Sequence, residues 1–237
     1  MKMTVLGSGS SGNCYLLDDG NEILILEAGI PFEEVKKSID YQVSRIVGVL
    51  SSHEHGDHRK HLHEYEKIGI PVLKGNETHY YNSIRFTASY FGRFYVQPFE
   101  VVHDVPCYGY LIFHKDMGQL LFVTDTEYVK YRFIGINHIM VEANYAQDII
   151  DENVNTGIIP DSLRKRIMKS HTSLETAKGI VTANRNPMLR NVILLHLSGH
   201  NSDRKRFVSE MKEIAGEYCN VDAAKKGMVF DFSLCPF

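Results

Sequence analysis

Ile46–His58, with the sequence IVGVLSSHEHGDH, carries the strongest structural signal in the chain. Its first five residues form a continuous apolar run of strand length, which predicts a strand buried on both faces. That strand leads directly into three histidines and an aspartate within six residues, ahead of a predicted helix. A solvated polar loop is the alternative interpretation. Because so many metal-binding side chains follow an apolar strand, the polar loop is the weaker interpretation.

The spacing of this cluster suits two metal ions. In a strand-to-helix loop, alternate side chains can point at two neighbouring positions, so that His53 and His55 serve one cation while Asp57 and His58 serve another. Imidazole and carboxylate ligands suit zinc, manganese or iron. Because the cluster contains no cysteine, a closed structural zinc site is not indicated. We therefore expect a site for two divalent ions, with zinc first among them.

Three further candidate ligands follow predicted strands elsewhere in the chain. They are His103 after Phe99–Val102, Asp125 after Leu121–Thr124, and His196 after Val192–Leu195. Side chains at the carboxyl ends of strands can converge on one rim of a sheet. The sequence therefore predicts that these residues join the cluster.

The rest of the chain predicts strands with interspersed helices. Strands are expected at Met3–Leu6, Cys14–Leu17, Ile23–Leu26, Ile84–Phe91, Tyr95–Val102, Tyr108–Phe113, Leu120–Val123 and Ile139–Ala143. Helices are expected from Pro31 and at Leu163–Met168, Leu174–Ala183 and Arg204–Ala215. No linker rich in proline, glycine or serine divides the 237 residues, so we expect one domain across 1–237.

The glycine-rich segment Gly7–Gly12 has the spacing of a dinucleotide-binding fingerprint. That fingerprint must open a helix whose N-terminus receives the pyrophosphate. Here the chain continues as the β-run Cys14–Leu17. We therefore interpret the segment as a tight turn between two strands.

The order of these candidates resembles the metallo-β-lactamase superfamily over nearly the whole chain. The resemblance implies an α/β fold, a four-layer αββα sandwich. It also implies one ion held at His53, His55 and His103 and a second held at Asp57, His58 and His196, with Asp125 bridging. Glu27 stands where the family usually has aspartate in a short Asp-x-Gly turn, a residue that supports the metal loop without binding metal.

Single residues distinguish the branches of the superfamily. His55 argues against the flavodiiron oxidoreductases, which have glutamate there, and Asp125 stands where common β-lactamases have cysteine. The opening segment Gly7–Asn13 looks like the YycJ/WalJ-like branch, and His196–Ser198 resembles the final motif that this branch shares with ribonuclease Z and cyclic phosphodiesterases. Only a hairpin fits between His103 and Asp125, which leaves no room for the tRNA-gripping arm of ribonuclease Z.

These resemblances favour a phosphodiesterase or nuclease. His171–Ser173 is similar to an element in nucleases whose histidine faces the scissile phosphate, which implies that His171 stabilises the developing charge or protonates the leaving oxygen. The attacking water or hydroxide would be shared by the two ions and oriented by Asp57. Alternatively, His171 caps a helix that begins near Ser173. The rival functions are a glyoxalase II-type thioesterase and a non-catalytic metal-binding protein of the same fold.

The composition constrains the partners. A formal net charge of −3 gives no global attraction for nucleic acid, so a DNA or RNA substrate would need a local basic patch, such as Leu163–Lys169 or Arg204–Arg206. Such runs are more often solvated helix faces. No apolar stretch is long enough for a signal peptide or a membrane span, so we expect a cytoplasmic protein. The remaining histidines are expected to be surface or structural: His61, His63, His79, His114, His138 and His200.

Overall fold

Two β-sheets form the centre of the molecule in the computed structural model, which describes residues 1–74 and 88–235. The strands are β1 (Lys2–Gly7), β2 (Cys14–Asp18), β3 (Ile23–Leu26), β4 (Ile46–Ser51), β5 (Val72–Lys74), β6 (Ser89–Phe91), β7 (Phe94–Val101), β8 (Cys107–His114), β9 (Gly118–Val123), β10 (Ile136–Glu142), β11 (Asn191–Leu195), β12 (Asn220–Ala223) and β13 (Val229–Asp231). One sheet has the order β13-β1-β2-β3-β4-β5 and the other β12-β11-β10-β9-β8-β7-β6.

Helices cover the outer faces of both sheets. The α-helices of the described residues are α1 (Phe32–Ser38), α2 (Gly56–Arg59), α3 (Leu62–Glu66), α4 (Gln147–Asn155), α5 (Asp161–Ser170), α6 (Leu174–Asn184) and α7 (Arg204–Ala215), and those on the outer faces include α1, α3, α6 and α7. Within the described residues, no helix is both long enough and apolar enough to cross a membrane.

Strand periodicity produces the layers, because successive side chains point to opposite faces of a sheet. In β2, Leu17 lies in the core between the sheets, whereas Leu16 lies in the outer cluster that includes α1 and α3. In β9, Phe122 lies in the same inter-sheet core, whereas Leu121 lies in the outer cluster that includes α6 and α7. The result is the expected four-layer αββα sandwich.

Parallel pairing brings several strand ends to the same rim. In the first sheet β3, β4 and β5 run parallel, and in the second β9, β10, β11 and β12 do so. His53, Asp125 and His196 come within two residues of the ends of β4, β9 and β11. The predicted convergence of these strand ends is confirmed.

Most predicted elements are present, with small shifts at their ends. Those missed are β5, β12, β13, α3 and α4, which are short or carry few apolar residues in a regular pattern. Of the predicted strand Ile84–Phe91, the structure has Ser89–Phe91 as β6, whereas residues 84–87 lie outside the described residues, as does His79. The single domain across 1–237 stays a prediction.

The glycine-rich segment Gly7–Gly12 joins β1 to β2, and these strands pair antiparallel, as predicted. Asn13, at its end, donates a backbone N–H to the carbonyl of Asp57 at 2.7 Å. Gly29 packs against the same carbonyl so closely that an added Cβ would lie 1.7 Å from it. The backbone of Asp57 is therefore held by contacts that leave no space for a side chain at position 29.

Gly29→Ala should destabilise the fold, because the new methyl overlaps a backbone atom that is held by other hydrogen bonds. We expect a loss of about 1–3 kcal/mol in the free energy of unfolding, measured by chemical denaturation. Gly179→Ala is the matched control: Gly179 lies in α6 with open space around it, so alanine should be neutral or stabilise by up to about 1 kcal/mol. Equal stability of Gly29→Ala and the wild type would contradict the packing argument.

Candidate metal centre

The first group of candidate ligands comprises His53, His55 and His103. Each offers one ring nitrogen within 4.8 Å of those of the other two. Nε2 of His103 lies 3.3 Å from Nδ1 of His55, and the rings of His53 and His103 are 4.7 Å apart. The β4–α2 loop and the segment after β7 thus meet as the resemblance implied.

The second group comprises Asp57, His58, Asp125 and His196, again with ligand atoms within 4.8 Å of one another. Asp125 lies between the two groups. Its Oδ2 is 3.0 Å from Nε2 of His58 and 3.6 Å from Nε2 of His53, while its Oδ1 is 2.8 Å from Nδ1 of His196. This is the geometry that a bridging carboxylate requires.

The donor set fits divalent cations. Nδ1 of His53 lies 2.9 Å from the hydroxyl of Ser52, whereas its Nε2 is buried without a hydrogen-bond partner and faces Asp125. A buried ring nitrogen without a partner is costly unless something binds its lone pair. Imidazole and carboxylate ligands bind Zn²⁺ at about 2.0–2.2 Å, so the spacing within each group suits one ion.

Three residues at this rim adopt the left-handed backbone region that side chains usually avoid. The φ angles are 67° for Glu27, 44° for Asp125 and 52° for His196. Each follows a strand, and the turn directs its side chain back across the strand ends. Such conformations persist where surrounding structure enforces them, and they cluster at functional sites.

Glu27 supports the metal loop, as expected from its place in the sequence. Its carboxylate is fully buried, accepts the backbone N–H of Ser52 at 3.2 Å and lies 3.5 Å from Nδ1 of His58. That contact leaves Nε2 of His58 facing Asp125. The longer glutamate therefore reaches the loop, and Glu27 is in neither ligand group.

Glu142 is a site residue that sequence reasoning missed. It ends β10, is fully buried, and its Oε1 lies 2.7 Å from Nδ1 of His171 and 3.2 Å from Nδ1 of His196. Its Oε2 accepts the backbone N–H of Thr172 at 2.9 Å. The available signal was an acidic residue at the end of an otherwise apolar strand, the same signal that identified Asp125.

His171 does not cap α6. Ser173 is the N-cap of that helix, and its hydroxyl accepts the backbone N–H of Thr176 at 3.1 Å. The Nδ1 of His171 instead bonds Glu142 and lies 3.7 Å from Oδ1 of Asp125. His171 therefore lies beside the second group, with its Nε2 as the remaining ring nitrogen.

The charges of the centre are strongly coupled. Burial alone would raise the pKa of Asp125, but His58 and His196 hold it well below its usual range. Burial opposes protonation of His196, yet Asp125 and Glu142 raise its pKa to about 9. For His53, burial and repulsion from His58 lower the pKa to about 2. Without metal, protons on some imidazoles thus compensate the buried carboxylates.

A cleft of about 500 Å³ opens onto both groups. His55, Asp57, His103, Asp125, His171 and His196 all line it. His200 also lines the cleft, although the sequence analysis treated it as surface or structural. His138 is structural, as expected: it is buried and its Nε2 bonds the carbonyl of Met117 at 3.0 Å.

A further group of metal-binding side chains, Asp19, His114 and Asp116, lies outside this centre. His114 is buried, with Nε2 at 3.3 Å from Oδ2 of Asp19. Arg93 donates to that same oxygen at 3.0 Å. Because a guanidinium already binds the carboxylate, we interpret this group as a structural ion pair, in line with the structural role expected for His114.

Comparison with known proteins supports the same fold. Residues 7–105 match the model of the metallo-beta-lactamase superfamily. Exodeoxyribonuclease YycJ of Bacillus anthracis is 28% identical, over 91% of this chain and 86% of its own length. Exodeoxyribonuclease WalJ of Streptococcus pneumoniae is 25% identical, over 85% of this chain and 83% of its own length.

Solved structures of other proteins have the same fold. The metallo-beta-lactamase fold protein YhfI from Bacillus subtilis superposes with a TM-score of 0.68 at 18% identity, covering 97% of this chain and 98% of its own. The short form of human tRNase Z superposes with a TM-score of 0.61 at 14% identity, covering 98% of this chain and 99% of its own. The chain has the metallo-β-lactamase fold, and the resemblance that its motifs indicated is confirmed.

Zinc binding to the metal-free protein at pH 7 should release protons. The pKa of His58 is raised well above its ordinary value and that of His196 to about 9, so both carry a proton there that ligation must displace. We expect about one to two protons per chain, measured by calorimetry in buffers of different ionisation enthalpy. His63→Ala, which alters an exposed histidine outside both groups, should release as many. A binding enthalpy independent of the buffer would contradict this account.

Proposed function

We propose that this protein is a metal-dependent hydrolase of phosphodiesters that acts on nucleic acid. Two divalent ions, zinc first and manganese or iron as alternatives, would be held by His53, His55 and His103 and by Asp57, His58 and His196, with Asp125 shared. The fit of both groups to such ions supports this proposal. We propose the cytoplasm as its location.

The single observation that carries the proposal is the position of His171. It lines the cleft, its Nδ1 is held by Glu142 at 2.7 Å, and it lies beside the shared Asp125. Although burial opposes its protonation, Glu142 and Asp125 raise the pKa of His171 to about 10. A protonated imidazole in this position suits a reaction that develops negative charge on an oxygen leaving group.

The role that we assign to each side chain follows from its contacts. When bound, the ions would lower the pKa of a water and offset the charge of the phosphate. Asp57, the more exposed of the two carboxylates in the second group, orients the attacking water. His171 donates a proton to the leaving oxygen from Nε2, and Glu142 holds its ring in place.

DNA is the substrate class that we infer. The two curated relatives, both named exodeoxyribonucleases, align over more than four-fifths of this chain. The hairpin of β8 and β9 is the whole connection between His103 and Asp125 apart from short loops, as the sequence indicated. A long tRNA-binding arm is therefore absent from that position.

Asp57→Ala or His58→Ala should abolish phosphodiesterase turnover while the protein stays folded, because each removes a candidate ligand from the second group. Metal-loaded enzyme would be assayed on bis(p-nitrophenyl) phosphate, a thioester, and short DNA and RNA, with circular dichroism to verify folding. His63→Ala serves as the control and should retain wild-type rates. Undiminished turnover by either variant would refute the ligand roles, and turnover of the thioester alone would favour the thioesterase.

His171→Ala should lower kcat by about 10²- to 10⁴-fold, the usual contribution of a positioned acid, with metal content unchanged. Glu142→Gln should cause a smaller loss, since the amide retains the shape but not the charge that holds the ring. Ser173→Ala is the control for a purely structural role: it removes the cap of α6, at a cost of about 1 kcal/mol in stability, but should leave kcat intact. If His171→Ala keeps its kcat, His171 has no part in the chemistry, and if Ser173→Ala loses as much kcat as His171→Ala, the loss reflects the local fold.

A further inference from the structure

Helix α5 forms one wall of the cleft that opens onto the candidate metal centre. Leu163, Arg166, Ile167 and Ser170 line the cleft from this helix. They are spaced three and four residues apart, so they share one helical face. Leu163 and Ile167 also pack against the small core cluster of Tyr145, Ile150 and Ile159, which anchors the wall.

The cations of α5 differ sharply in their partners. Arg164 donates to Oδ1 of Asp151 at 2.6 Å, and Nζ of Lys165 lies 2.7 Å from Oδ2 of Asp161. In the part of the chain that the structure describes, Arg166 has no carboxylate partner. It is also the one lysine or arginine among the described residues that line the cleft. Arg164 and Lys165 are thus paired at the surface, whereas Arg166 and Lys169 have no carboxylate partner among the described residues, and of these two only Arg166 lines the cleft.

The surroundings of Arg166 suit a nucleotide. Its guanidinium is a fork of donors that matches the oxygens of a phosphate, and the half-buried Leu163 and Ile167 beside it offer an apolar surface to a sugar or base. The three carboxylates that line the cleft have partners other than Arg166. Asp57 and Asp125 belong to the second ligand group, and Asp104 lies 3.0 Å from Nε2 of His103.

We propose that Arg166 is a specificity-determining residue that binds a phosphate next to the scissile one. A polynucleotide would then be held at two points, at the metal centre and at α5, whereas a diester with a single phosphate would reach only the first. This inference rests on the proposed function and deepens it, because it names the residue that would make the enzyme prefer an oligonucleotide to a small diester.

Steady-state kinetics of the zinc-loaded enzyme test the proposal. The substrates are a twelve-residue deoxythymidine oligonucleotide and bis(p-nitrophenyl) phosphate, which has one phosphate. Arg166→Ala should raise KM for the oligonucleotide about tenfold with kcat little changed, the loss typical of one charge-assisted contact at a partly exposed site. KM for bis(p-nitrophenyl) phosphate should stay within about twofold, because that substrate has no second phosphate.

Lys165→Ala is the matched control. It removes the same charge one residue away, from a side chain that is 69% exposed and paired with Asp161. It should leave both KM values unchanged. Arg166→Lys should restore part of the affinity, since it keeps the charge but loses the fork. The slope of log KM against log salt for the oligonucleotide should fall by about 0.7 in Arg166→Ala, as for one lost contact to a single strand.

Each remaining outcome counts against a specific claim. An unchanged KM for the oligonucleotide in Arg166→Ala, or an equal loss in Lys165→Ala, would overturn the role of Arg166. Equal losses on both substrates would also overturn it, since they would place the effect at the scissile phosphate or in the fold. If the wild-type enzyme hydrolyses neither substrate, the proposed function itself fails.

Discussion

Asp125 is a buried carboxylate at the point where the two sheets end, and the rest of the centre is arranged around its charge. Removing a carboxylate from water is costly unless neighbouring groups compensate it. Here the imidazoles of His58 and His196 lie at 3.0 and 2.8 Å, and the hydroxyl of Thr124 donates at 3.0 Å. In the metal-free protein, protons on these imidazoles compensate the charge of the carboxylate. Divalent cations can take the place of those protons.

Two other buried glutamates extend this arrangement into both sheets. Glu27 follows β3 in the first sheet and contacts His58, whereas Glu142 ends β10 in the second and contacts His171 and His196. Glu142 lies directly behind two residues that line the cleft, whereas Glu27 lies behind the fully buried His58. Because one glutamate is anchored in each sheet, the geometry at the rim depends on how the sheets pack, and the core between them becomes part of the functional site.

The sequence predicts most of this centre, since its signals are local. The cluster from His53 to His58 stands out by residue type, and His103, Asp125 and His196 stand out as polar residues that end apolar runs. Glu142 also ends an apolar strand, but its role depends on His171, which is 29 residues away, and the sequence alone does not show that the two side chains meet.

The same limit applies to charge and to short strands. The run that contains Arg164, Lys165 and Arg166 is uniformly basic in sequence, and only the folded chain shows that Asp151 and Asp161 pair with the first two. Likewise β5 and β13, with three residues each, are formed by pairing with neighbouring strands rather than by a periodic pattern of their own.

Anomalous X-ray scattering at the zinc edge, from crystals of the zinc-loaded protein, tests the central claim most directly. The account predicts two peaks per chain: one among His53, His55 and His103, the other among Asp57, His58 and His196, with Asp125 between them. A single peak, or peaks that do not share Asp125, would contradict the two-metal centre.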